Sequence, residues 1–126
     1  MSGKNILLDS NIIIYLSQNR ISVDDLIFNE NSYFISAITY MEVLGYTFES
    51  IDEEKTVCDL LNLFTIIYID EKISRKVVEI RKKHKIKIPD AIICATAITH
   101  KATLYTNDLK LETVKDFEIE FIKIQD

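Results

Sequence analysis

The chain has 126 residues and a formal net charge of −5, with 48% hydrophobic residues, two glycines, one proline and no tryptophan. Apolar side chains near half the total, with Gly and Pro scarce, exclude a disordered or linker-built chain. No stretch approaches the roughly 20 consecutive apolar residues that a membrane-spanning helix needs.

The opening Met1-Ser2-Gly3-Lys4 runs within a few residues into Asp9, so it reads as a poor signal peptide. Cys58 and Cys94 sit among apolar neighbours with no CxxC partner, and there are two histidines. Free thiols in a reducing, cytoplasmic setting are expected, without a structural zinc site. Length and composition together predict one domain over residues 1–126.

In chain order, Ile6-Leu7-Leu8 ahead of Asp9 is a short apolar run ending in an acid, the pattern of a parallel strand buried on both faces. Residues 11–16 fit strand or helix. Helix is preferred, because Asp9, Ser10 or Asn11 can cap it and a crossover must follow the first strand. A short helix is expected over 23–27 and a second strand over 33–35. Ala37, Met41, Leu44 and Phe48 recur at helical spacing and predict a helix over 37–49, with Met41 on its buried stripe and Gly45 inside it. Val57, Leu61 and Phe64 predict the next helix, opened by Ser50 or Asp52.

Residues 65–69 form a β-branched strand. Asp70 caps a helix whose stripe is Ile73, Val77 and Ile80. Pro89 opens a helix rich in small residues that runs to Ile98. Thr103-Leu104-Tyr105 is a fourth strand, a helical turn follows Asp108, and 118–122 is a last strand. The alternation predicts an α/β fold, a three-layer α/β/α sandwich with a mostly parallel central sheet.

The net charge argues at first against a nucleic-acid partner, but it is unevenly spread. Residues 1–70 carry a net −8 and residues 71–126 a net +3, with +7 concentrated in 72–101. Read alone, Arg81-Lys82-Lys83-His84-Lys85 is a helix end with cations where the dipole favours them. It leads directly to Pro89-Asp90, so Lys82, Lys83, Lys85 and Lys87 are candidate phosphate contacts that raise affinity without reading sequence. Tyr40 and Tyr46 are candidates to stack on a splayed base, although packing alone also accounts for them.

Four acids fall at strand ends or helix starts. Ligands of open parallel sheets bind outside the carboxyl ends of the strands, where Asp9 and Asp108 belong. Asp90 lies in the first turn of the small-residue helix, and Glu42 lies half-buried beside the stripe of the helix after the second strand. Each has a local explanation: Asp9 as a helix cap, Asp90 as an answer to the helix dipole, Asp108 as a turn residue, Glu42 as a side chain reaching water. Together they would repel one another unless cations occupied the cluster. Hard divalent ions accept all-oxygen ligation, and two of them close together can activate water and stabilise the leaving oxygen in phosphodiester cleavage.

Four segments carry a family likeness: Ile6-Leu7-Leu8-Asp9-Ser10-Asn11, the stretch from Ile35 to Gly45 holding Ser36, Thr39 and Glu42, Pro89-Asp90-Ala91-Ile92-Ile93-Cys94-Ala95-Thr96-Ala97, and Leu104-Tyr105-Thr106-Asn107-Asp108. In this order they resemble the PIN-domain family and, within it, the VapC-like toxins of type II toxin–antitoxin systems. The resemblance implies a PIN-like fold and an Mg²⁺- or Mn²⁺-dependent endoribonuclease. It makes Asp9, Glu42, Asp90 and Asp108 the catalytic, metal-binding acids, and assigns Asn11, Thr39 and Thr106 to orient them by hydrogen bonds. It implies an RNA substrate, a cognate antitoxin and a homodimer, while the lack of a long apolar stretch leads to the expectation of no membrane partner.

Two departures stand out. Cys94 replaces a usual alanine, and Lys110-Leu111-Glu112 stands where the family often has Asp-Phe, leaving Glu112 or Asp116 for that contact. A receiver-like phosphoacceptor would want a second acid after Asp9, and a haloacid-type phosphatase would want one at position 11, which is Asn. A catalytically silent PIN-like scaffold, binding RNA or protein, is the alternative function.

Overall fold

Short apolar strands that each lead into a helix build one sheet with helices on both sides. The computed structural model describes residues 3–27 and 30–124. Its elements are β1 (Asn5–Leu8), α1 (Ser10–Ser17), α2 (Val23–Leu26), β2 (Ser32–Ser36), α3 (Ala37–Leu44), α4 (Ile51–Leu61), β3 (Thr65–Ile67), α5 (Glu71–Lys83), α6 (Ile88–Thr99), β4 (Thr103–Thr106), a 3₁₀ turn at Leu109–Thr113, and β5 (Ile119–Phe121). The strand order is β3-β2-β1-β4-β5 and every pairing is parallel. The expected sandwich is therefore present, with a wholly parallel sheet.

The alternating pleat of β1 divides the core. Ile6 and Leu8 pack with Ile12, Leu16, Val57 and Leu61 of α1 and α4. Leu7 faces the other way, toward Ile73 and Ile80 of α5 and Ala91, Ile93 and Cys94 of α6. All three β1 side chains are fully buried, and each contributes about 2 kcal/mol by area removed from water. Among the described residues no helix is long and apolar enough to cross a membrane. Cys58 is half-buried, Cys94 is buried, and both are free thiols.

Local chemistry fixes the helix starts. Asp9, Ser36, Ser50 and Asp70 each accept a hydrogen bond from a first-turn backbone N–H, satisfying donors that a helix N-terminus leaves free. Pro89 sits in the first turn of α6, where its missing N–H costs nothing.

Three expectations need correction. α3 stops at Leu44 with Gly45 as its C-cap, and Met41 is 54% exposed instead of buried. The helix straddles the two core layers, with Ile38 packed on one and Val43 and Leu44 on the other. Its buried arc is thus Ala37, Thr39 and Val43, and no single stripe through Met41 exists. α4 ends at Leu61, and Phe64 enters the same core from the connection that follows. β3 ends at Ile67, where its partner strand β2 ends at Ser36, and Tyr68 and Ile69 continue into solvent.

Candidate active site

β1 is the point where the chain's path across the sheet reverses: β2 and β3 lie to one side, β4 and β5 to the other. In such sheets the loops diverge there and leave a crevice outside the strands' carboxyl ends. A depression of about 270 Å³ occupies that position, lined by Asp9, Ser10, Asn11, Ile14, Glu42, Val43, Tyr46, Asp90 and Asp108. All four sequence-predicted acids are brought to it.

Asp9 is the most constrained. It follows β1, and its N–H donates to the Tyr105 carbonyl of β4 at 3.1 Å. Its Oδ1 accepts from the Ser10 N–H at 2.8 Å and its Oδ2 from the Thr106 hydroxyl at 2.7 Å. Burial pushes its carboxyl above the usual Asp range; the Thr106 and Ser10 hydrogen bonds pull it down, while Asp108 and Glu42 push it up. The helix cap and the place among the four acids, alternatives in the sequence, belong here to one side chain.

Asp108 follows β4. Its N–H donates to Thr106 Oγ1 at 3.0 Å and its Oδ1 accepts from the Lys110 N–H at 3.0 Å, opening the 3₁₀ turn. Glu42, on α3, is exposed and not half-buried. Its Oε1 accepts from the Ser10 hydroxyl at 2.7 Å. Asp90 lies in the first turn of α6, and burial, then Asp108 and Glu42, push its carboxyl up, against a lowering influence from Lys110 and Lys87. The same negative field reaches beneath the depression: the Cys94 thiol is pushed up to about 12 by burial, then by Asp90, Asp9 and Asp108.

Of the three residues expected to orient the acids, Thr106 does so directly. Asn11 stands on the wall of the depression. Thr39 is fully buried, and its hydroxyl has no hydrogen-bond partner among the described residues. Neither Glu112 nor Asp116 lines the depression; Asp116 lines a different one with Lys4 and Asn5, where the chain enters β1 at the opposite end of the sheet. Lys82 and Lys83 close the exposed end of α5, Lys85 follows in the connection, and Lys87 is the N-cap of α6. Sequence reasoning missed Ser10, which bonds to both Asp9 and Glu42 through different atoms. Its signal was only its place directly after a strand-end acid.

The donor set is all oxygen and anionic, which fits a hard divalent cation. Carboxyls raised by burial and by one another are the groups such a cation would stabilise in charged form. Among the described residues no three His, Cys, Asp or Glu side chains are already gathered as an ion-holding group. Mg²⁺ does not require that, since it usually takes one or two carboxylates and keeps several waters.

Comparison with known proteins agrees with this geometry. Residues 6–116 match the PIN-domain family. A chain of a toxin–antitoxin complex from Klebsiella pneumoniae is 31% identical with a TM-score of 0.74, over 94% of this chain and 96% of that one. VapBC2 from Rickettsia felis, bound to a DNA fragment from its promoter, gives a TM-score of 0.80 at 22% identity, over 93% and 98% of the two chains. DNA-bound VapBC from Salmonella typhimurium gives 0.78 at 21% identity, over 94% and 98%. No curated protein sequence matches. The chain belongs to the PIN-domain family. Within it, the fold is that of chains found in VapBC toxin–antitoxin complexes.

Proposed function

We propose that this chain is a divalent-metal-dependent endoribonuclease and the toxin of a toxin–antitoxin pair. The observation that carries the reading is the convergence of Asp9, Glu42, Asp90 and Asp108 on one depression at the point where the sheet's chain path reverses. Family membership and the 31% identical chain from a toxin–antitoxin complex support it.

Asp9, Glu42, Asp90 and Asp108 would hold one or two Mg²⁺ or Mn²⁺ ions. When bound, such ions activate water at neutral pH and offset the charge that develops on phosphate oxygens. The chain's own residues set up that chemistry. Thr106 and the Ser10 N–H fix the Asp9 carboxylate, and the Ser10 hydroxyl holds Glu42 toward the same space. The raised carboxyls of Asp9 and Asp90 favour any ligand that carries positive charge. In the overall reaction a water oxygen bonds to phosphorus and the bond to the 3′ oxygen breaks. That oxygen leaves as a 3′-hydroxyl with a proton, and the other fragment keeps a 5′-phosphate. Lys82, Lys83, Lys85 and Lys87 supply phosphate contacts along the approach, and a cognate antitoxin is the partner.

The test is cleavage of single-stranded RNA with Mg²⁺ or Mn²⁺, with EDTA, and by Asp9→Asn and Glu42→Gln. Loss of cleavage by at least about a hundredfold in EDTA and in both variants is expected, the scale of losing transition-state charge stabilisation. Unchanged cleavage in the variants would overturn the mechanism. Folded protein that neither cleaves RNA nor gains thermal stability with Mn²⁺ would leave a silent scaffold as the function.

A further inference from the structure

A chain of short hydrogen bonds crosses the site and ends on a lysine that the family motif does not include. From Glu42 it runs through the Ser10 hydroxyl at 2.7 Å, and from the Ser10 N–H to Asp9 Oδ1 at 2.8 Å. From Asp9 Oδ2 it passes to Thr106 Oγ1 at 2.7 Å, to the Asp108 N–H at 3.0 Å, and from Asp108 Oδ1 to the Lys110 N–H at 3.0 Å. Lys110 is therefore registered to the acids through its backbone, in the first turn of the 3₁₀ segment that Asp108 caps. Its side chain is exposed and in no ion pair among the described residues.

Lys87 stands close in sequence to the acid that α6 contributes. It is the N-cap of α6, three residues before Asp90, also exposed and also outside any ion pair among the described residues. Lys82, Lys83 and Lys85 lie further back in the chain, at the end of α5 and in the connection to α6. Two of the acids that line the depression, Asp90 and Asp108, thus each have an exposed lysine within three residues, on two different elements. Two like charges near these acids, in no salt bridge among the described residues, suit a polyanion that must straddle the acids.

We propose that Lys110 is a substrate-positioning residue of this site, working with Lys87 to hold phosphates of an RNA strand on either side of the acids. This rests on the endoribonuclease reading above and adds a residue to it. Lys110 extends the basic path beyond the run ending at Lys87, so the strand crosses the acids from α6 to the segment after β4. Because the lysine contacts backbone and not base, it affects all sequences alike.

The experiment measures binding of a labelled mixed-sequence single-stranded RNA by the full chain in EDTA, across a salt series, and Mg²⁺-dependent cleavage of the same RNA. The variants are Lys110→Ala, Lys110→Arg, Lys87→Ala and, as a control of equal charge change beside the depression at the other end of the sheet, Lys4→Ala. Lys110→Ala is expected to weaken binding about tenfold and to reduce the slope of log affinity against log salt by about 0.7, the value for one single-strand phosphate contact. Lys110→Arg should restore both, Lys87→Ala should resemble Lys110→Ala, and Lys4→Ala should match the parent. In cleavage, KM should rise while kcat changes less. If the parent binds and cleaves RNA but Lys110→Ala matches Lys4→Ala in affinity and slope, the assignment of Lys110 is overturned and the nuclease reading stands. If the folded parent neither binds nor cleaves RNA, both fall together.

Discussion

The hydroxyl of Thr106, at the end of β4, donates to Oδ2 of Asp9, at the end of β1, across 2.7 Å and ninety-seven positions of sequence. The two strands are neighbours in the sheet with Leu8 opposite Tyr105, so the next residue on each emerges at the same rim. The bond makes Asp9 more acidic than burial alone would leave it, keeping a carboxylate available in a site that otherwise disfavours charge. Thr106 Oγ1 also accepts from the Asp108 N–H, so one hydroxyl orders two of the four acids.

Thr106→Val keeps the shape and removes that hydroxyl. Loss of a hydrogen bond to a charged group leaves the buried Asp9 oxygen without its donor and costs about 1.5–3 kcal/mol. Cleavage is expected to fall about tenfold or more, and metal-free stability at neutral pH to drop by an amount in that range. Thr106→Ser, which keeps the donor, should recover most of both. Thermal unfolding and single-turnover cleavage of the two variants check this; a valine variant equal to the serine variant would show that the hydroxyl does nothing.

Ser10 links the acids on the other side. Its hydroxyl holds the exposed Glu42 at 2.7 Å, and an exposed hydrogen bond contributes little to stability. Ser10→Ala should therefore change unfolding by less than about 1 kcal/mol, while cleavage falls severalfold because Glu42 is free to swing into solvent. The backbone N–H that caps onto Asp9 is untouched. The contrast between a near-neutral melt and reduced cleavage is the measurement.

Which parts of this were legible in the sequence depends on whether the signal is local. The cap Asp70 and the N-terminal Pro89 are read outright, and Asp9 and Ser50 as one of a few neighbouring candidates, because a helix start is decided within four residues. The strands are legible because burial on both faces demands continuous apolar runs. Met41 and Glu42 are exposed against their periodicity because α3 packs at the seam between two core layers, and periodicity assumes a single buried face. The bonds from Thr106 to Asp9 and from Ser10 to Glu42 depend on which strands become neighbours and how far a loop turns. No window of sequence contains both partners, and only the likeness to a family pointed to Thr106.

The basic run makes a prediction separable from Lys110. Lys82, Lys83 and Lys85 lie at the exposed end of α5 and in the connection to α6, and the proposed function makes them contacts to RNA backbone phosphates. The triple alanine variant should lower RNA affinity and reduce the salt slope by about 2, since each single-strand phosphate contact contributes about 0.7. Cleavage at saturating RNA should be nearly unchanged. A slope equal to that of the parent would remove this face from the RNA path.

Asp90→Asn separates stability from function. Burial, then Asp108 and Glu42, raise the Asp90 carboxyl in the folded chain above its ordinary value of 3.8. A group whose folded value is raised binds more protons folded than unfolded, so it favours folding below the unfolded value and loses that contribution as pH rises through the folded one. In EDTA the parent should lose stability as pH climbs from about 4, near the ordinary carboxyl value, toward neutrality, and Asp9, raised for the same first reason, acts in the same direction. The amide in Asp90→Asn is similar in size and does not titrate. It forgoes a first-turn interaction with the α6 dipole of about 0.3–1 kcal/mol, but it removes a desolvated charge facing two others. The variant should melt at least as high as the parent at pH 7 in EDTA, show a flatter pH profile, gain less from Mn²⁺ and lose cleavage. A variant less stable than the parent at pH 7, with an equally steep profile, would mean that Asp90 is not held at a cost in the folded chain.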